Sequence, residues 1–375
     1  MDRYLIVISD CHLSAGKNFE GRHNVHEDFA FDDEMVDFID YFSSGEYGES
    51  SIGSTRLAVQ VELVINGDYF DYLNVPVDGE FEDTITEDIA LWKTEQIING
   101  HPKVMEALRR FASKSGKTIK YLIGNHDADL AFEKVRERIT REWDPDRKFP
   151  SDKVEVIGTK DRITYTEGVE IHHGNQFEAG SQLSFEEPFL AGHQKLLNLP
   201  WSSFYVLKIV NRLKWERENL DKIRPVKVFV AFGLLLDPWF TLKFVFLSVF
   251  YFLQTRFVWS RKRQSPLKKT VEILKQETKL FLDLEREARD YLNQNIQTKI
   301  LILGHTHRPM NKGYPDGKQY INTGTWVRMV NLDWKSFGQQ PTRTFAFVHF
   351  QDGKAEGELR HWVGLQRPHQ IYDGF

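Results

Sequence analysis

The chain has 375 residues, carries a net charge of −5 at pH 7 and is 41% hydrophobic. Its single cysteine, Cys11, excludes an intramolecular disulfide framework and fits a reducing compartment. The sequence contains no internal repeat, low-complexity tract or nucleotide-binding glycine loop, which argues against a repeat array and a dinucleotide-binding domain.

Five apolar runs read as buried strands, and a short polar motif follows each one. The runs span residues 4–9, 57–66, 119–123, 169–171 and 299–303. Strand ends in an α/β sheet are where ligands bind, so the motifs are candidate site residues. In chain order they are Asp10-Cys-His12, Gly67-Asp68-Tyr-Phe-Asp71, Gly124-Asn125-His126-Asp127, His172-His173-Gly174 and Gly304-His305-Thr-His307.

The side chains of these motifs are mostly carboxylate, amide and imidazole groups, and none of the proposed ligands is a thiolate. Such a set suits Mn²⁺, and also Fe or Zn²⁺. Residues two apart in an extended segment point the same way, so one loop can supply both Asp10 and His12, and another both His305 and His307. The pattern therefore predicts a site for divalent metal.

In this order the five motifs resemble those of the calcineurin-like metallophosphoesterase superfamily. Each motif alone is weak, because Gly-Asp and Gly-His pairs are common in turns, but five in sequence are specific. The resemblance covers residues 1 to about 180 and about 296–350. It implies an α/β fold in which a two-sheet sandwich is flanked by helices.

The resemblance also implies two divalent metal ions, with Mn²⁺ the first choice. One would be held by Asp10, His12, Asp68 and His307, and the other by Asp68, Asn125, His173 and His305. Asp68 would bridge the two, since one carboxylate can hold cations roughly 3.5–4 Å apart. The number of ligands, seven, exceeds the needs of a single catalytic metal.

The superfamily mechanism assigns roles to two further residues. A hydroxide held between the metals would attack phosphorus in line, and His126 would act as general acid to the leaving oxygen, oriented by Asp71. The alternative for Asp71 is a solvated loop carboxylate. Only one of the neighbours His172 and His173 can face the metals, and His173 precedes glycine as in the family motif, so His173 is assigned as the ligand.

Two acidic stretches, residues 27–40 and 78–88, are predicted to be solvated loops and helix faces without an assigned function. Residues 1–9 lack a basic leader and run into the first motif, so no signal peptide is predicted. These features favour a cytoplasmic enzyme that could lie peripherally on the inner face of the membrane.

The segment between the fourth and fifth motifs is unlike the rest of the chain. Residues 200–270 contain 14 Lys and Arg against 4 Asp and Glu, a net charge of +10. Residues 228–253 are mostly apolar but are interrupted by Asp237-Pro238, and a central aspartate would cost about 2.5–3.5 kcal/mol in a spanning helix. The proline instead predicts two short helices, 228–236 and 239–255.

Basic residues follow these helices directly, and three aromatic residues accompany them. This composition favours an element lying on an anionic membrane. The alternative is that the apolar side chains pack against the catalytic domain or a second subunit, and the sequence does not fix the oligomeric state. The basic residues are Arg256, Arg261, Lys262, Arg263, Lys268 and Lys269, and the aromatic residues are Trp239, Tyr251 and Trp259.

Two further helices are predicted to frame this pair. Phe204, Leu207, Val210 and Leu213 form one apolar stripe, and Ser265-Pro266 supplies a helix start. The prediction is therefore a catalytic domain of residues 1–180 and 296–375, interrupted by a helical, apolar and basic lid of residues 181–295.

A lid in this position is similar to that of the UDP-2,3-diacylglucosamine diphosphatases of the superfamily. That similarity implies hydrolysis of a phosphodiester or diphosphate bond in a lipid-linked or nucleotide-linked substrate. The sequence departs from that pattern at His126, where those enzymes commonly have arginine, and at Asn175, where aspartate is common. The protein serine/threonine phosphatases fit less well, because Tyr72 and Leu73 replace their arginine.

Two other functions are kept as alternatives. A nuclease or soluble nucleotide phosphodiesterase would use the basic segment on a phosphate backbone, which leaves the apolar helices unexplained. A membrane-recruited scaffold with an inactive phosphoesterase fold would normally have a broken ligand set, whereas all seven positions are filled.

The remaining C-terminal sequence is predicted to complete the fold. Residues 318–322, 343–350 and 356–362 read as antiparallel strands, the last two forming a hairpin at Asp352-Gly353. Residues 322–326 are predicted either to shape the rim of the site or to form a simple turn.

Overall fold

The computed structural model describes residues 3–44, 60–146, 151–190, 192, 195–224, 226–254, 284–332, 338–339, 343–365 and 369–372. Within these ranges the strands are β1 (Arg3–Ile8), β2 (Asn18–Phe19), β3 (Arg22–His23), β4 (Gln60–Asn66), β5 (Lys117–Leu122), β6 (Val154–Ile157), β7 (Arg162–Tyr165), β8 (Val169–His172), β9 (Phe189–Leu190), β10 (Leu196–Leu197), β11 (Ile223–Arg224), β12 (Ile300–Leu303), β13 (Met310–Gly313), β14 (Gln319–Asn322), β15 (Val330–Asn331), β16 (Gly338–Gln339), β17 (Thr344–Gln351), β18 (Lys354–Trp362) and β19 (His369–Ile371).

Helices occupy much of the remaining described chain. Short 3₁₀ turns lie at Tyr72–Asn74, Ala128–Ala131, Asn175–Phe177 and Leu220–Lys222. A π-helical turn, Val206–Val210, joins the fifth helix to the sixth. The α-helices are α1 (Asp32–Ser44), α2 (Glu87–Gly100), α3 (Pro102–Ser113), α4 (Glu133–Trp143), α5 (Trp201–Tyr205), α6 (Asn211–Lys214), α7 (Val226–Leu236), α8 (Pro238–Gln254) and α9 (Leu284–Gln294).

Two mixed sheets form the centre of the fold. The larger has seven strands in the order β19-β18-β17-β1-β4-β5-β6, and the smaller has five in the order β13-β14-β12-β8-β7. β1, β4, β5 and β6 run parallel, whereas β17 lies antiparallel to β1. The hairpin of β17 and β18 is confirmed. β14 is antiparallel to β13 but parallel to β12, so the antiparallel prediction for residues 318–322 is correct on one side only.

The alternation of side chains along the strands divides the core into layers. In β1, Leu5 and Val7 point between the two sheets, where they join Ile171 and Ile302 of the smaller sheet. Tyr4, Ile6 and Ile8 point the other way, into a larger core shared with helices α1 to α4. Helix α9 covers the outer face of the smaller sheet. The predicted α/β sandwich of two sheets flanked by helices is therefore confirmed.

The predicted lid begins as part of the main core rather than as a separate layer. Phe204 and Leu207 are buried in the core of the larger sheet. Ile209 and Leu213 instead pack against Phe240 of α8. The segment that contains Phe204 and Leu207 is thus fixed to the core of the larger sheet, and the residues that follow it pack against α8.

Helices α7 and α8 correspond to the two helices predicted on either side of Pro238. Among the described residues, none of the helices has the length and hydrophobicity needed to cross a bilayer. The predicted basic cluster after α8, Trp259 and the helix start at Ser265-Pro266 all lie outside the described residues.

The prediction that residues 27–40 are solvated is wrong at its start, where Glu27 and Asp28 are buried. The Glu27 carboxylate accepts hydrogen bonds from the backbone N–H groups of Ser14 and Gly16, and lies 3.2 Å from His101 Nε2. Asp32 lies 2.7 Å from the other ring nitrogen of His101. Burial alone would lower the pKa of His101, but the two carboxylates raise it to about 9.

This pKa predicts how stability depends on pH. Because the folded-state pKa of His101 exceeds the unfolded value of about 6.5, its contribution is complete below pH 6.5 and is lost as pH rises towards 9. The loss amounts to about 3 kcal/mol at one pKa unit per 1.36 kcal/mol. We expect urea unfolding to show a smaller fall in the free energy of unfolding between pH 6.5 and 9.5 for His101→Gln than for the unsubstituted protein. An equal fall in the free energy of unfolding for both proteins would contradict the raised pKa of His101.

Candidate metal centre

The predicted site residues lie at one edge of the sandwich. In the larger sheet, the parallel neighbours β1, β4 and β5 end just before Asp10, Asp68 and Asn125. In the smaller sheet, the parallel neighbours β8 and β12 end at or before His173 and His305. Parallel neighbours place their carboxyl ends at the same edge of a sheet, so five loops distant in sequence meet there.

The backbone of these loops is strained at the ligand positions. Nine non-glycine residues of the described chain have positive φ, and five of these are proposed ligands. An L-residue in this region costs about 1–3 kcal/mol, so the surrounding fold must hold it there. The five are Asp10 (φ 52°), His12 (55°), Asp68 (50°), His305 (68°) and His307 (59°).

Two motif glycines are required by close packing around the aspartates. A Cβ at Gly124 would overlap the side chain of Asp68, and one at Gly304 would overlap Ser9 and Asp10. The absence of a side chain at these positions lets the loops approach the carboxylates directly. This explains why glycine precedes the ligands in both motifs.

One group of ligands contains Asp10, His12 and His307, whose ligand atoms all lie within 4.8 Å of one another. His307 Nε2 is 3.3 Å from Asp10 Oδ1 and 3.0 Å from His12 Nε2. Two ring nitrogens at this distance need either a shared proton or a shared cation. The group therefore fits a divalent metal ion.

A second group contains Asp68, His173 and His305, also within 4.8 Å. His173 Nε2 lies 3.2 Å from Asp68 Oδ2 and has no hydrogen-bond partner, and Asn125 Oδ1 is likewise buried without one. Buried polar atoms are nearly always satisfied, so these atoms also fit a cation. The structure brings together three of the four predicted ligands in each group.

Asp68 also lies within 4.8 Å of His12 and His126 in a third grouping, which places it between the two sides of the site. Its Oδ1 accepts the backbone N–H of His126 at 2.8 Å. Burial would raise the pKa of Asp68, but the charges of His173 and His126 hold it well below the usual range. Its carboxylate is therefore kept ionised and central, as a bridging ligand needs.

His126 and the buried Asp71 form a close pair beside these groups. His126 Nδ1 lies 3.1 Å from Asp71 Oδ1, and Asp71 Oδ2 lies 3.0 Å from His12 Nδ1. Asp71 is 1% exposed, which is inconsistent with a solvated loop carboxylate. Burial alone would lower the pKa of His126, but the charges of Asp71 and Asp68 raise it to about 9. The two carboxylates therefore favour the doubly protonated, cationic form of the His126 ring.

His172 points away from these groups. Its Nε2 lies 3.2 Å from Glu170 Oε2, and its Nδ1 lies 2.9 Å from the side-chain amide of Gln176. His173, by contrast, faces Asp68 and places its Nδ1 2.8 Å from the backbone oxygen of Asn66. Adjacent strand residues face opposite ways, so the two histidines have different environments.

Several supporting residues have no motif of their own. Ser9 hydrogen-bonds the Asp10 carboxylate and lies 2.6 Å from Thr323 Oγ1, and Thr325 Oγ1 donates to the backbone oxygen of Asp10 at 2.6 Å. Residues 322–326 thus hold the first ligand loop instead of forming a simple turn. Glu178 lies 2.7 Å from His305 Nε2, which orients that ring.

Asp127, the last residue of its motif, hydrogen-bonds to the strand and loop that precede it. It accepts hydrogen bonds from the backbone of Gly124 and from Tyr121 Oη at 2.7 Å. Burial and the charge of Asp68 raise the pKa of Asp127 to about 7. Asp127 therefore shapes the Asn125 loop without itself being a proposed ligand.

No protein-family model matches the chain, and no curated protein matches it significantly. Among solved structures, a predicted phosphoesterase from Streptococcus pneumoniae is 12% identical, with a TM-score of 0.30 over 100% of this chain and 95% of that protein. A Staphylococcus aureus protein named as a 5′-nucleotidase is 11% identical, with a TM-score of 0.35 over 96% of this chain and 54% of that one. Vps29 from Entamoeba histolytica, complexed with zinc, is 22% identical over 23% of this chain and 44% of its own, with a TM-score of 0.17. The similar structures thus include phosphoesterases, but identities and TM-scores this low carry no argument about the chemistry of this chain.

The two adjacent histidines provide a test of the metal centre. We expect His173→Gln to reduce the Mn²⁺ bound per chain, because it removes a ligand, whereas His172→Gln should leave the stoichiometry unchanged. Metal content after dialysis, measured by inductively coupled plasma mass spectrometry, compares the two variants directly. Equal loss in both would mean that the effect is structural, and no loss in His173→Gln would remove that residue from the centre.

Proposed function

We propose that the protein is a dinuclear metal-dependent phosphoesterase that hydrolyses a phosphodiester or diphosphate bond. The observation that carries the proposal is the convergence of six of the seven predicted ligands and the His126–Asp71 pair at the edge shared by two sheets. Asp10, His12, Asp68 and His307 would hold one metal, and Asp68, Asn125, His173 and His305 the other. When bound, two such cations neutralise charge on the phosphoryl oxygens and generate a nucleophile from water near neutral pH.

The chain's own residues supply the proton for the leaving group. His126 is the candidate donor, because its ring is partly exposed, at 19%, and the Asp71 carboxylate favours its protonated form. Asp71 also binds His12, so one carboxylate fixes both a proposed ligand and the proposed acid. A positioned general acid contributes about 10²–10⁴-fold to rate.

The finer proposal is that the substrate is lipid-linked, with a diphosphate like that of UDP-diacylglucosamine. It is supported by the solvent-facing side of helices α7 and α8, where Leu235, Leu236, Trp239 and Phe246 are 68–84% exposed. Large apolar side chains exposed in this number on two neighbouring helices are typical of a protein or membrane contact. The exposed apolar residues of the two helices are Phe232, Leu234, Leu235, Leu236, Trp239, Leu242, Val245, Phe246, Val249, Phe250 and Leu253.

Most insert cations in the described part of the chain are already paired with carboxylates. Lys208 binds Asp83, and Lys243 binds Glu216. Arg224 instead donates hydrogen bonds to backbone oxygens, and its charge adds to burial in lowering the pKa of His307, so it lies near the site. Arg224 is therefore the candidate insert cation for the substrate phosphates. The basic cluster that follows α8 in the sequence is the candidate contact for anionic lipid.

The substrate class can be tested with a mixed pool. We expect the protein with Mn²⁺ to deplete a lipid-linked diphosphate from a bacterial lipid extract and to release a nucleoside monophosphate, measured by mass spectrometry. Asp68→Asn should abolish turnover, because it removes the bridging carboxylate.

The other outcomes separate the alternatives. Depletion of only added nucleotides or oligonucleotides, with strong salt dependence, would favour a nuclease or soluble phosphodiesterase. Turnover unaffected by Asp68→Asn would overturn the assigned site, and absence of turnover on every substrate would favour an inactive scaffold.

The membrane contact has a separate test. We expect the double variant Trp239→Ser/Phe246→Ser to sediment with phosphatidylglycerol vesicles at least about tenfold more weakly than the unsubstituted protein, because burying one large apolar side chain contributes about 1.5–3 kcal/mol. Ile296→Ser is the matched control, since Ile296 is 81% exposed but lies outside these helices.

Unchanged sedimentation of the double variant would show that α7 and α8 do not contact lipid. Concentration-dependent self-association, measured by analytical ultracentrifugation and lost in the double variant, would identify a second subunit as the partner instead.

A further inference from the structure

A buried chain of polar contacts runs from the insert to the proposed catalytic pair. It begins at Asp71, whose Oδ2 accepts a hydrogen bond from Asn74 Nδ2 at 3.0 Å. The same amide nitrogen donates to Asp28 Oδ2 at 3.2 Å. All three residues are at most 7% exposed. An amide nitrogen has two hydrogens, so Asn74 can link the two carboxylates at once.

Asp28 is bound in turn by cations that the insert supplies. Lys214 Nζ lies 2.8 Å from both Asp28 oxygens and 2.9 Å from Asp221, and Lys222 Nζ lies 2.9 Å from Asp28 Oδ1. The Lys214 side chain is 0% exposed. A buried carboxylate without such partners would be costly, so the insert is needed to keep Asp28 charged beside Asn74.

The same insert segment also hydrogen-bonds to the backbone of the loop that carries Asp71. Asn211 Nδ2 donates to the backbone oxygen of Leu73 at 2.8 Å, between Asp71 and Asn74. His26 Nε2 lies 2.8 Å from the backbone oxygen of Asn211. Helix α6 is therefore bonded to the loop that carries Asp71 through Leu73, and to the segment that carries Asp28 through His26.

Helix α6 also packs against the exposed helix α8. Leu213, next to Lys214, packs with Leu220 against Phe240 and Phe244 of α8. A displacement of α8 would thus act on the segment from which Lys214 and Lys222 reach Asp28. Helix α6 therefore packs against the apolar helix α8 and also carries Lys214, from which the chain of contacts leads to His126.

We propose that Lys214, Asp28 and Asn74 are positioning residues for the His126–Asp71 pair, through which the insert controls proton donation to the leaving group. This inference rests on the proposed phosphoesterase function. Lys214 does not touch the reacting atoms; it acts by fixing Asp28, which fixes Asn74 and hence the Asp71 carboxylate. The insert is then part of the catalytic apparatus.

The test uses the dependence of rate on the leaving group. A misplaced acid slows esters with a poor leaving group, such as phenyl phosphodiesters, and spares those with a good one, such as 4-nitrophenyl phosphodiesters. We expect Lys214→Met with Mn²⁺ to lose at least about tenfold in kcat on the phenyl ester and less than about twofold on the 4-nitrophenyl ester. His126→Gln defines the loss of kcat expected when the acid is removed altogether. Lys214→Arg, which keeps the positive charge, should lose less kcat on the phenyl ester than Lys214→Met.

Lys208→Met is the matched control, because Lys208 lies on the same helical segment and pairs with Asp83 outside the chain of contacts. It should behave as the unsubstituted protein. Equal losses on both esters in Lys214→Met, or no loss on either, would overturn the proposal. If Lys214→Met does not fold, judged by its thermal melting, the isosteric Asp28→Asn takes its place with the same expected selectivity.

A second readout does not need turnover. At fixed pH, we expect Lys214→Met to shift the ¹⁵N resonances of the His126 ring, identified by their loss in His126→Gln, and Lys208→Met to leave them in place. If the resonances shift but the protein hydrolyses neither ester, Lys214 does position His126, and the proposed phosphoesterase function is wrong. Unshifted resonances would reject the coupling itself.

Discussion

The fold depends on offsetting the negative charges of four aspartates that are each at most 1% exposed: Asp10, Asp68, Asp71 and Asp127. A carboxylate loses a large hydration free energy when it is buried, and neighbouring carboxylates repel one another. Imidazole rings surround three of the four, and Asp71 alone binds two of them. At Asp127, burial and the charge of Asp68 raise the pKa to about 7, so compensation is least complete there. Histidine, which can carry a positive charge or bind a metal, is the residue type that meets this constraint.

The sandwich supplies the geometry that this compensation needs. Neither sheet contains the whole set, since the larger contributes the aspartates and the smaller contributes His173, His305 and His307. The positive φ values on both sides indicate that packing of the loops, rather than local preference, fixes the ligand directions. Ser9, Thr323 and the backbone N–H of His305 then orient Asp10 across the junction between sheets.

The strands could be predicted because continuous apolar runs followed by polar motifs are local signals, and the break at Pro238 was local as well. The role of Glu178 could not be predicted, because Glu178 reaches His305 only after two loops meet. The acidic stretch around Asp28 predicts a solvated carboxylate, but its buried partner Lys214 is 186 residues away along the chain. Sequence pattern therefore indicated which residues could bind metal, while their supports depend on contacts distant along the chain.

The order of strands has a consequence for synthesis. β17 lies between β18 and β1, so one edge of β1 is paired by a strand that is made much later in the sequence. Until Thr344–Gln351 leaves the ribosome, the apolar strand Arg3–Ile8 has an open edge, and such edges are templates for aggregation. The nascent chain should therefore depend on chaperones that shield this edge until β17 is available to pair with β1.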